Sequence, residues 1–198
     1  MSTDTGAMNV PEYPLRLEIE YPEQLNRWLV LIKWLLALPQ WLIVGALSYV
    51  EQAIYVIAFF AVLFTTRYPR SLFDFVVNIR RWTLNVYAYG GLFMRDEYPP
   101  FSWEAGQYPL TFEIEYPEQL NRWLPLVKWL LAIPHYIVLF FLFIAAFVVW
   151  VISFFAILFT ARFPRGLFDF QVGVLRWSTR VLYYVFFMRD EYPPFSLK

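Results

Sequence analysis

Most of this chain is one segment written twice, and this duplication constrains the fold more than any other feature. Residues 13–102 recur at 108–196, with an offset of 95 positions for most of their length and a one-residue gap between Val86 and Met94. The stretch EIEYPEQLNRWL is unchanged between the copies, and FMRDEYPPFS ends both. Each copy surrounds a long, nearly uncharged apolar segment. The duplicated unit is therefore predicted to be a membrane-embedded module.

Composition and the placement of charge support this prediction. The chain is 60% hydrophobic and 22% aromatic, far above the average for soluble proteins. Sixteen Lys and Arg balance sixteen Asp and Glu. However, residues 34–66 contain only Glu51 as a charged residue, and residues 129–161 contain none. A hydrocarbon environment demands this exclusion of charge.

Several functional classes are disfavoured by what the sequence lacks. The absence of cysteine excludes disulfides, iron–sulfur clusters and thiolate metal sites. The single histidine, His135, leaves little scope for a haem or histidine metal site and is interpreted as an interfacial polar residue. No Ser/His/Asp arrangement or glycine-rich phosphate loop is present, so no cofactor, metal or catalytic residue is predicted. A net charge of zero gives no long-range attraction to nucleic acid.

Each copy opens with a short strand pattern. Residues 1–12 read as a flexible tail and residues 103–107 as a linker between repeats 13–102 and 108–198. Apolar side chains alternate with polar ones at Leu15, Leu17 and Ile19, and again at Leu110, Phe112 and Ile114. This period of two is typical of a half-buried strand. Because an isolated strand is unstable, the two copies are predicted to pair their strands into a small sheet on the membrane surface.

The apolar window of the first copy, residues 28–66, is too long for one straight crossing. As a single helix it would measure about 58 Å, roughly twice a hydrocarbon core of about 30 Å. A transmembrane helical hairpin fits better, with its turn near Ser48, Tyr49, Glu51 and Gln52. On this interpretation Glu51 lies in the far interface. The second copy has no comparable residues that would interrupt a helix. The alternative to the hairpin is a surface helix over 123–133 followed by one crossing over 136–160.

The basic residues favour two crossings per copy. An odd number would invert the second copy relative to the first, yet the two copies carry equivalent arginines. By the positive-inside rule these clusters belong on one side. The sequence therefore predicts four transmembrane helices, with both termini cytoplasmic.

A third apolar segment follows in each copy, at 72–94 and 167–188. Its polar residues in the first copy are Asp74, Asn78, Arg81 and Asn85, whose spacing places them on one stripe of a helix. An arginine at the bilayer centre would cost about 2.5 to 3.5 kcal/mol, so this helix is predicted to lie in the interface with its apolar face in lipid. The fold class is thus mainly α, with each repeat a surface strand, a transmembrane hairpin and an interfacial amphipathic helix.

The repeated motifs also suggest a family. EIEYPEQLNRW, the Arg-Tyr/Phe-Pro-Arg corner followed by LFDF, and FMRDEYPPFS together resemble an uncharacterised prokaryotic membrane family, domain of unknown function 4389. The resemblance covers nearly the whole chain, once per copy. It implies a bacterial or archaeal membrane location and supplies no reaction, ligand or site residue.

Two sets of candidate site residues follow from the repeats. The first set can either bind lipid phosphates or pair internally as structural ion-pair corners; it comprises Arg67, Arg70, Asp74, Arg81, Arg162, Arg165, Asp169 and Arg176. The second set is predicted to anchor the module at the membrane interface; it comprises Trp28, Trp34, Trp82, Trp123, Trp129 and Trp177.

The resulting functional hypothesis is a non-enzymatic membrane protein, acting as a scaffold or accessory subunit of a larger membrane complex or homo-oligomer. The absence of reactive groups and the even matching of opposite charges motivate it. An alternative is lipid binding or transport through the arginine corners, with membrane lipids as partners. A membrane enzyme acting on lipid head groups is the third hypothesis. All three place the chain in the inner membrane of a prokaryote as a multi-pass protein, with no nucleic-acid partner.

Overall fold

The computed structural model describes residues 13–198, so the predicted tail at 1–12 lies outside the described residues. The described part is mainly α-helical and carries the same order of elements twice. The first repeat contains β1 (Leu15–Ile19), α1 (Leu29–Leu36), α2 (Leu38–Thr65) and α3 (Arg70–Val86), which continues into a π-helical turn (Tyr87–Gly91). The second repeat contains β2 (Leu110–Ile114), α4 (Leu124–Leu131), α5 (Ile133–Thr160) and α6 (Arg165–Val185).

The two predicted strands form and pair with each other. β1 and β2 make an antiparallel two-stranded sheet in which Leu17 lies opposite Phe112, its own equivalent in the second repeat. A pseudo-two-fold axis therefore passes through the middle of the sheet, perpendicular to it. The alternating apolar side chains face inward, with Leu17 and Phe112 almost completely buried. The hydrophobic core begins directly beneath this face.

The predicted hairpins are wrong, because α2 and α5 each run for 28 residues without reversal. The predicted turn falls in the middle of α2, where the Ser48 hydroxyl donates to the Gly45 carbonyl and no further glycine or proline interrupts the helix. Both repeats instead follow the alternative arrangement, a short helix and then a long one. Residues 13–198 thus contain two helices long and apolar enough to cross a membrane, not four.

The amphipathic helices α3 and α6 form a middle layer. Each packs on the sheet on one side and on a long helix on the other, α3 against β2 and α2, and α6 against β1 and α5. Their apolar side chains, such as Val76, Ile79 and Val174, are buried in protein. The prediction that this face lies in lipid is therefore wrong, and the long helices cover it instead.

The directions of the layers follow from contacts along α3. Phe73 packs edge-on against Tyr116 at 5.1 Å between ring centroids, and Arg81 reaches the Phe112 carbonyl, so α3 runs antiparallel along β2. On its other side Tyr87 packs against Trp41 at 4.7 Å between ring centroids. The Arg80 side chain, further towards the N-terminus of α3, pairs with Glu51, which lies further along α2. α2 is therefore antiparallel to α3. The strand β2 and the helices α3 and α2 run along one another in three successive layers.

The two repeats interlock through their strands. β1 packs on α6 and β2 packs on α3, so each strand lies against the other repeat's helix. Just beyond the strands, Tyr21 donates to the Phe163 carbonyl at 2.6 Å, and Tyr116 donates to the Tyr68 carbonyl at 2.5 Å. Neither repeat completes its own hydrophobic core.

One difference between the repeats has a clear structural outcome. The extra residue of the first copy lies at the π-helical turn that ends α3, and such turns absorb an inserted residue. Within it, Gly90 lies so close to α1 that an added Cβ would fall 2.6 Å from the Ala37 Cβ. Glycine is required here to let the two segments approach.

Candidate functional site

The most buried charges belong to a lysine corner present in both repeats. The Lys33 ammonium, fully buried on the inner side of α1, lies 2.6 Å from the Asp96 carboxylate and donates to the Arg95 carbonyl at 2.6 Å. Burial lowers the pKa of Lys33, and the hydrogen bond to Asp96 opposes that shift. Lys128 repeats this geometry with Asp190 and the Arg189 carbonyl.

An arginine extends each lysine corner to the strand. The Arg95 guanidinium donates two hydrogen bonds to the Glu97 carboxylate, at 2.9 and 2.7 Å, and one to the Glu20 carbonyl beyond β1. Arg189 does the same with Glu191 and Glu115. The FMRDEYPPFS segment thereby joins α1 to the strand of its own repeat.

The lysine was missed by sequence reasoning, although a signal was present. Arg95, Asp96 and Glu97 stand out as a repeated charged motif, but Lys33 lies in an apolar stretch and carries no motif of its own. It is the only charge within α1, and Lys128 repeats it in α4. A single charge retained inside an apolar helix in both copies indicates a buried partner.

The predicted corners after the long helices are exposed. Arg70 pairs with Asp74 at 3.1 Å and lies over the Tyr116 ring at 4.6 Å. Arg165 lies 3.8 Å from Asp169 and over the Tyr21 ring at 4.6 Å. Each guanidinium therefore stacks on a tyrosine of the other repeat, an arrangement that leaves it open to solvent.

Arg67 and Arg162 stand at the same corners with no such partner. Both are exposed, and neither makes an ion pair within residues 13–198. Each directly follows the left-handed residue that ends a long helix, Thr66 in one repeat and Ala161 in the other. Two unpaired guanidinium groups thus lie beside the ends of two apolar helices.

Arg81 and Arg176 have a different role from the other corner arginines. Arg81 donates to the Phe112 carbonyl at 3.3 Å, and Arg176 donates to the Leu17 carbonyl at 2.9 Å. These carbonyls lie at the centre of the outer edges of the sheet. The two guanidinium groups satisfy edge carbonyls that would otherwise be open to pairing with another strand.

The six predicted tryptophan anchors divide into two groups. Trp28, Trp34, Trp123 and Trp129 are more than half exposed, on or next to α1 and α4. Trp82 and Trp177 are buried, and their prediction as interface anchors is wrong. The Trp82 indole donates to the Gln40 side chain at 2.6 Å, and the Trp177 indole donates to His135 Nδ1 at 3.1 Å.

His135 is likewise not at an interface. It is fully buried at the start of α5 and stacks on Phe195 with 4.0 Å between ring centroids. Its equivalent in the first repeat is Gln40, which donates to the Pro99 carbonyl at 2.7 Å. Each repeat therefore places one polar side chain of the long helix under a tryptophan of the middle layer.

One buried ion pair occurs only in the first repeat. Glu51, in the middle of α2, is buried and pairs with Arg80 of α3 at 2.8 Å. It also accepts a hydrogen bond from the Tyr55 hydroxyl at 2.5 Å, and these three residues line a cavity of about 270 Å³ between α2 and α3. The interpretation of Glu51 as a turn residue is wrong, because its partner lies inside the protein.

A comparison of the copies could have found this pair. Glu51 is replaced by Ala146 and Arg80 by Leu175, so both charges are lost together in the second repeat. A simultaneous loss of opposite charges indicates that the two side chains are neighbours. Within residues 34–66 alone, Glu51 is the single charged residue, so the pair is visible only when the copies are compared.

The remaining feature is an extended apolar surface on α1, α2, α4 and α5. Along α2 it runs from one end of the helix to the other, and its exposed side chains include Leu42, Tyr49, Val56, Phe60 and Phe64. Along α5 it includes Ile137, Phe140, Phe141, Phe147 and Phe159. Contiguous apolar surface of this length is typical of contact with a membrane or a partner protein.

Comparison with known proteins identifies the repeats. The family model described as Domain of unknown function (DUF4389) matches residues 27–102 and, a second time, residues 122–196. The resemblance predicted from the sequence motifs, with two tandem copies, is confirmed. No curated protein and no solved structure matches the chain.

Proposed function

Because this chain belongs to the family described as Domain of unknown function (DUF4389), its role must come from its own geometry, and we propose that it is a non-enzymatic, membrane-embedded scaffold. On this proposal the apolar surface of α1, α2, α4 and α5 lies in lipid, while the sheet and the charged corners lie in water. The module would serve as a scaffold or accessory subunit for other membrane proteins.

The separation of apolar and charged surface is the observation that carries this proposal. Apart from Gln52 and Thr65 in α2 and Thr160 in α5, the exposed residues of these two helices are apolar. Only about a quarter of an 18-residue apolar window in each helix is buried inside the protein, 28% in α2 and 22% in α5. A core helix of a soluble protein would be mostly buried. Exposure of this much apolar surface to water would be strongly unfavourable, so lipid is the solvent that fits it.

The internal pairing of charge supports a structural role. Lys33, Arg95, Lys128 and Arg189 all use their donors on carboxylates and carbonyls of their own repeat. Such groups hold segments together and are not open to a substrate. The positive-inside rule further supports a cytoplasmic orientation for the corner arginines in a prokaryotic cell membrane.

Membrane extraction tests the first half of the proposal. The protein should stay in the pellet after an alkaline carbonate wash, because its apolar surface is held by lipid. The triple variant Leu42→Glu/Val56→Glu/Phe60→Glu, which alters only exposed α2 positions, should be released. The matched control Glu18→Gln/Glu113→Gln, on the outer face of the sheet, should be retained. Release of the wild-type protein by carbonate would overturn membrane embedding.

The scaffold role needs a second measurement. Mild-detergent extraction from native membranes, followed by crosslinking and mass spectrometry, should return the protein together with at least one other membrane protein at a fixed ratio. Recovery of the protein as an isolated monomer in repeated preparations would contradict the scaffold role and leave membrane embedding intact.

A second candidate function, binding of anionic lipid, is favoured by Arg67 and Arg162. These exposed guanidinium groups follow apolar helices, where lipid phosphates would lie, and guanidinium binds phosphate with two parallel hydrogen bonds. Native mass spectrometry in phosphatidylglycerol should show bound lipid lost in Arg67→Gln/Arg162→Gln. The control Arg16→Gln/Lys198→Gln removes equal charge elsewhere and should retain it. Equal retention in both variants would contradict this function.

A further inference from the structure

We infer that α2 and α5 lie along the membrane plane within one leaflet and do not cross the bilayer, although each is long enough to do so. The inference rests on the proposed membrane embedding and specifies its geometry. In this orientation the apolar surface of α1, α2, α4 and α5 contacts one lipid leaflet, at the level of its acyl chains and the inner part of its head-group layer.

The first step is that the layers are parallel. Contacts from Phe73 to Tyr116 and from Arg81 to Phe112 hold α3 along β2, in the plane of the sheet. Contacts from Tyr87 to Trp41 and from Arg80 to Glu51 hold α2 along α3. The pseudo-two-fold axis repeats this stacking for β1, α6 and α5. The long helices therefore run parallel to the sheet, one helical layer beneath it.

The second step is that the sheet cannot enter lipid. Its outer face carries Arg16, Glu18 and Glu113, all exposed, and Glu20 and Glu115 lie exposed just beyond the strands. Glu51, the midpoint of α2, contacts Arg80, and the adjacent Arg81 reaches Phe112 at the centre of the sheet. If α2 crossed the bilayer upright, this outer face would lie level with the bilayer centre.

The energetic consequence decides against that orientation. A charged side chain at the bilayer centre costs about 2.5 to 3.5 kcal/mol even on the most lenient scale. Arg16 and Glu18 can offset part of this cost by pairing with each other at 3.0 Å, but the three exposed carboxylates Glu20, Glu113 and Glu115 remain. With the helices in the membrane plane, every one of these charges stays in water.

The third step is that both ends of α2 are held at the polar layer. At its start, Gln40 donates to the Pro99 carbonyl, in the segment that leads from the lysine corner to β2. Immediately after its end, the left-handed Thr66 accepts a hydrogen bond from the Leu120 backbone at 2.8 Å, in the segment that follows β2. Neither end is free to reach the opposite side of a membrane.

In this orientation all parts of the apolar surface lie at a similar depth in the membrane. The exposed side chains of α2, from Leu42 to Phe64, would all be buried about 5 to 10 Å into the boundary between head groups and acyl chains, the usual depth of an interfacial helix. Exposed tryptophans on α1 and α4 lie beside this surface, as expected for residues that prefer the interface.

Depth measurement along α2 tests the inference directly. Because the sequence contains no cysteine, single substitutions Leu42→Cys, Tyr49→Cys, Val56→Cys, Phe60→Cys and Phe64→Cys can carry one spin label each. Collisions with oxygen and with a water-soluble nickel chelate should report the same depth, within a few ångströms, in phosphatidylethanolamine–phosphatidylglycerol vesicles. A profile deepest at Tyr49 and Val56 that rises toward both ends would overturn the in-plane orientation. Glu18→Cys serves as the water-exposed control.

A sidedness experiment gives an independent answer. It uses two single-cysteine variants, Tyr98→Cys and Arg67→Cys. Tyr98 lies beside the end of α1, where its hydroxyl donates to the Leu36 carbonyl, and Arg67 lies just after the end of α2. A membrane-impermeant maleimide added to one side of sealed vesicles should label both or neither in a uniformly oriented preparation. Labelling of only one would show that α2 crosses. A protein that fails to bind the vesicles at all would instead contradict the proposed membrane embedding.

Discussion

The two repeats share one buried charged site and differ in another. Both hold a lysine corner at nearly identical distances, 2.6 Å for Lys33 to Asp96 and 2.7 Å for Lys128 to Asp190. Between α2 and α3 the first repeat buries an ion pair, where the second has Ala146 and Leu175. The comparison shows that the fold keeps the buried lysine and its partners in both repeats. It also shows that apolar side chains can replace the ion pair between the long helix and the amphipathic helix.

The difference separates two uses of buried charge. The lysine corner satisfies backbone carbonyls and ties a loop to a helix, which apolar side chains cannot do. The Glu51–Arg80 pair lies between two helices that would also pack without it, as α5 and α6 do. Replacing a buried pair by apolar residues is often neutral, whereas removing one partner is costly.

The largest expected effect comes from the lysine corners. Lys33→Ala and Lys128→Ala should each lower the free energy of unfolding by about 3 to 5 kcal/mol, because Asp96 or Asp190 and a buried carbonyl lose their partner. Denaturant unfolding in detergent, followed by tryptophan fluorescence, measures this loss. The control Lys198→Ala should have no effect. Losses that differ by more than about 1 kcal/mol between the corners would break the equivalence of the repeats.

The ion pair of the first repeat should show a smaller loss and a rescue. Glu51→Ala should destabilise the protein by about 2 to 3 kcal/mol, since it leaves the partly buried Arg80 guanidinium without its carboxylate partner. The double variant Glu51→Ala/Arg80→Leu copies the residues of the second repeat and should recover most of that loss. The same unfolding measurement compares the three proteins. A double variant less stable than Glu51→Ala would show that the pair is needed beyond mutual neutralisation.

The polar residues under the buried tryptophans should rank next. Gln40→Leu removes a bond from Trp82 and a bond to Pro99, so a loss of about 2 kcal/mol is expected. His135→Leu removes only the acceptor for Trp177, so about 1 kcal/mol is expected. Thermal unfolding of both variants tests the ranking. A reversed order would mean that stacking of His135 on Phe195 outweighs hydrogen bonding.

The exposed corners should have the smallest effect on stability. Arg70→Gln and Arg165→Gln each remove an exposed pair four residues apart in a helix, worth about 0.3 to 0.5 kcal/mol, and a stack on tyrosine of similar size. Unfolding at low and high salt should show a total loss near 1 kcal/mol that shrinks with salt. A loss above about 2 kcal/mol would place these arginines in the core of the fold.

The strands could be predicted from sequence because their signal is local. Alternation at Leu15, Leu17 and Ile19 fixes both the strand and its buried face, and the second copy supplies its partner. The prediction of the hairpins in the apolar windows was wrong for a physical reason. The expected hairpin came from comparing the length of residues 28–66 with the thickness of a bilayer, which assumes an upright helix. A helix that lies along the membrane plane, as we propose for α2, has no such limit.

The candidate site could be predicted only in part, because burial depends on tertiary contacts. The repeated arginines were visible, but the sequence could not distinguish Arg67, which is exposed, from Arg81, which binds a strand edge. Trp82 and Trp177 are of the residue type that anchors proteins at a membrane interface. Only the packing of α3 and α6 shows that these two side chains are internal. Lys33 and Arg80 acquire their meaning from partners more than twenty residues away.

The exchange of strands between the repeats has a consequence for their origin. Since β1 rests on α6 and β2 on α3, a polypeptide holding residues 13–102 alone would expose half of an unfinished core. It could fold only by recruiting a second molecule in the same way, as a homodimer around a true two-fold axis. A half-length ancestor of that kind would need only gene fusion to become the present chain, and the halves could then diverge where symmetry no longer required a match.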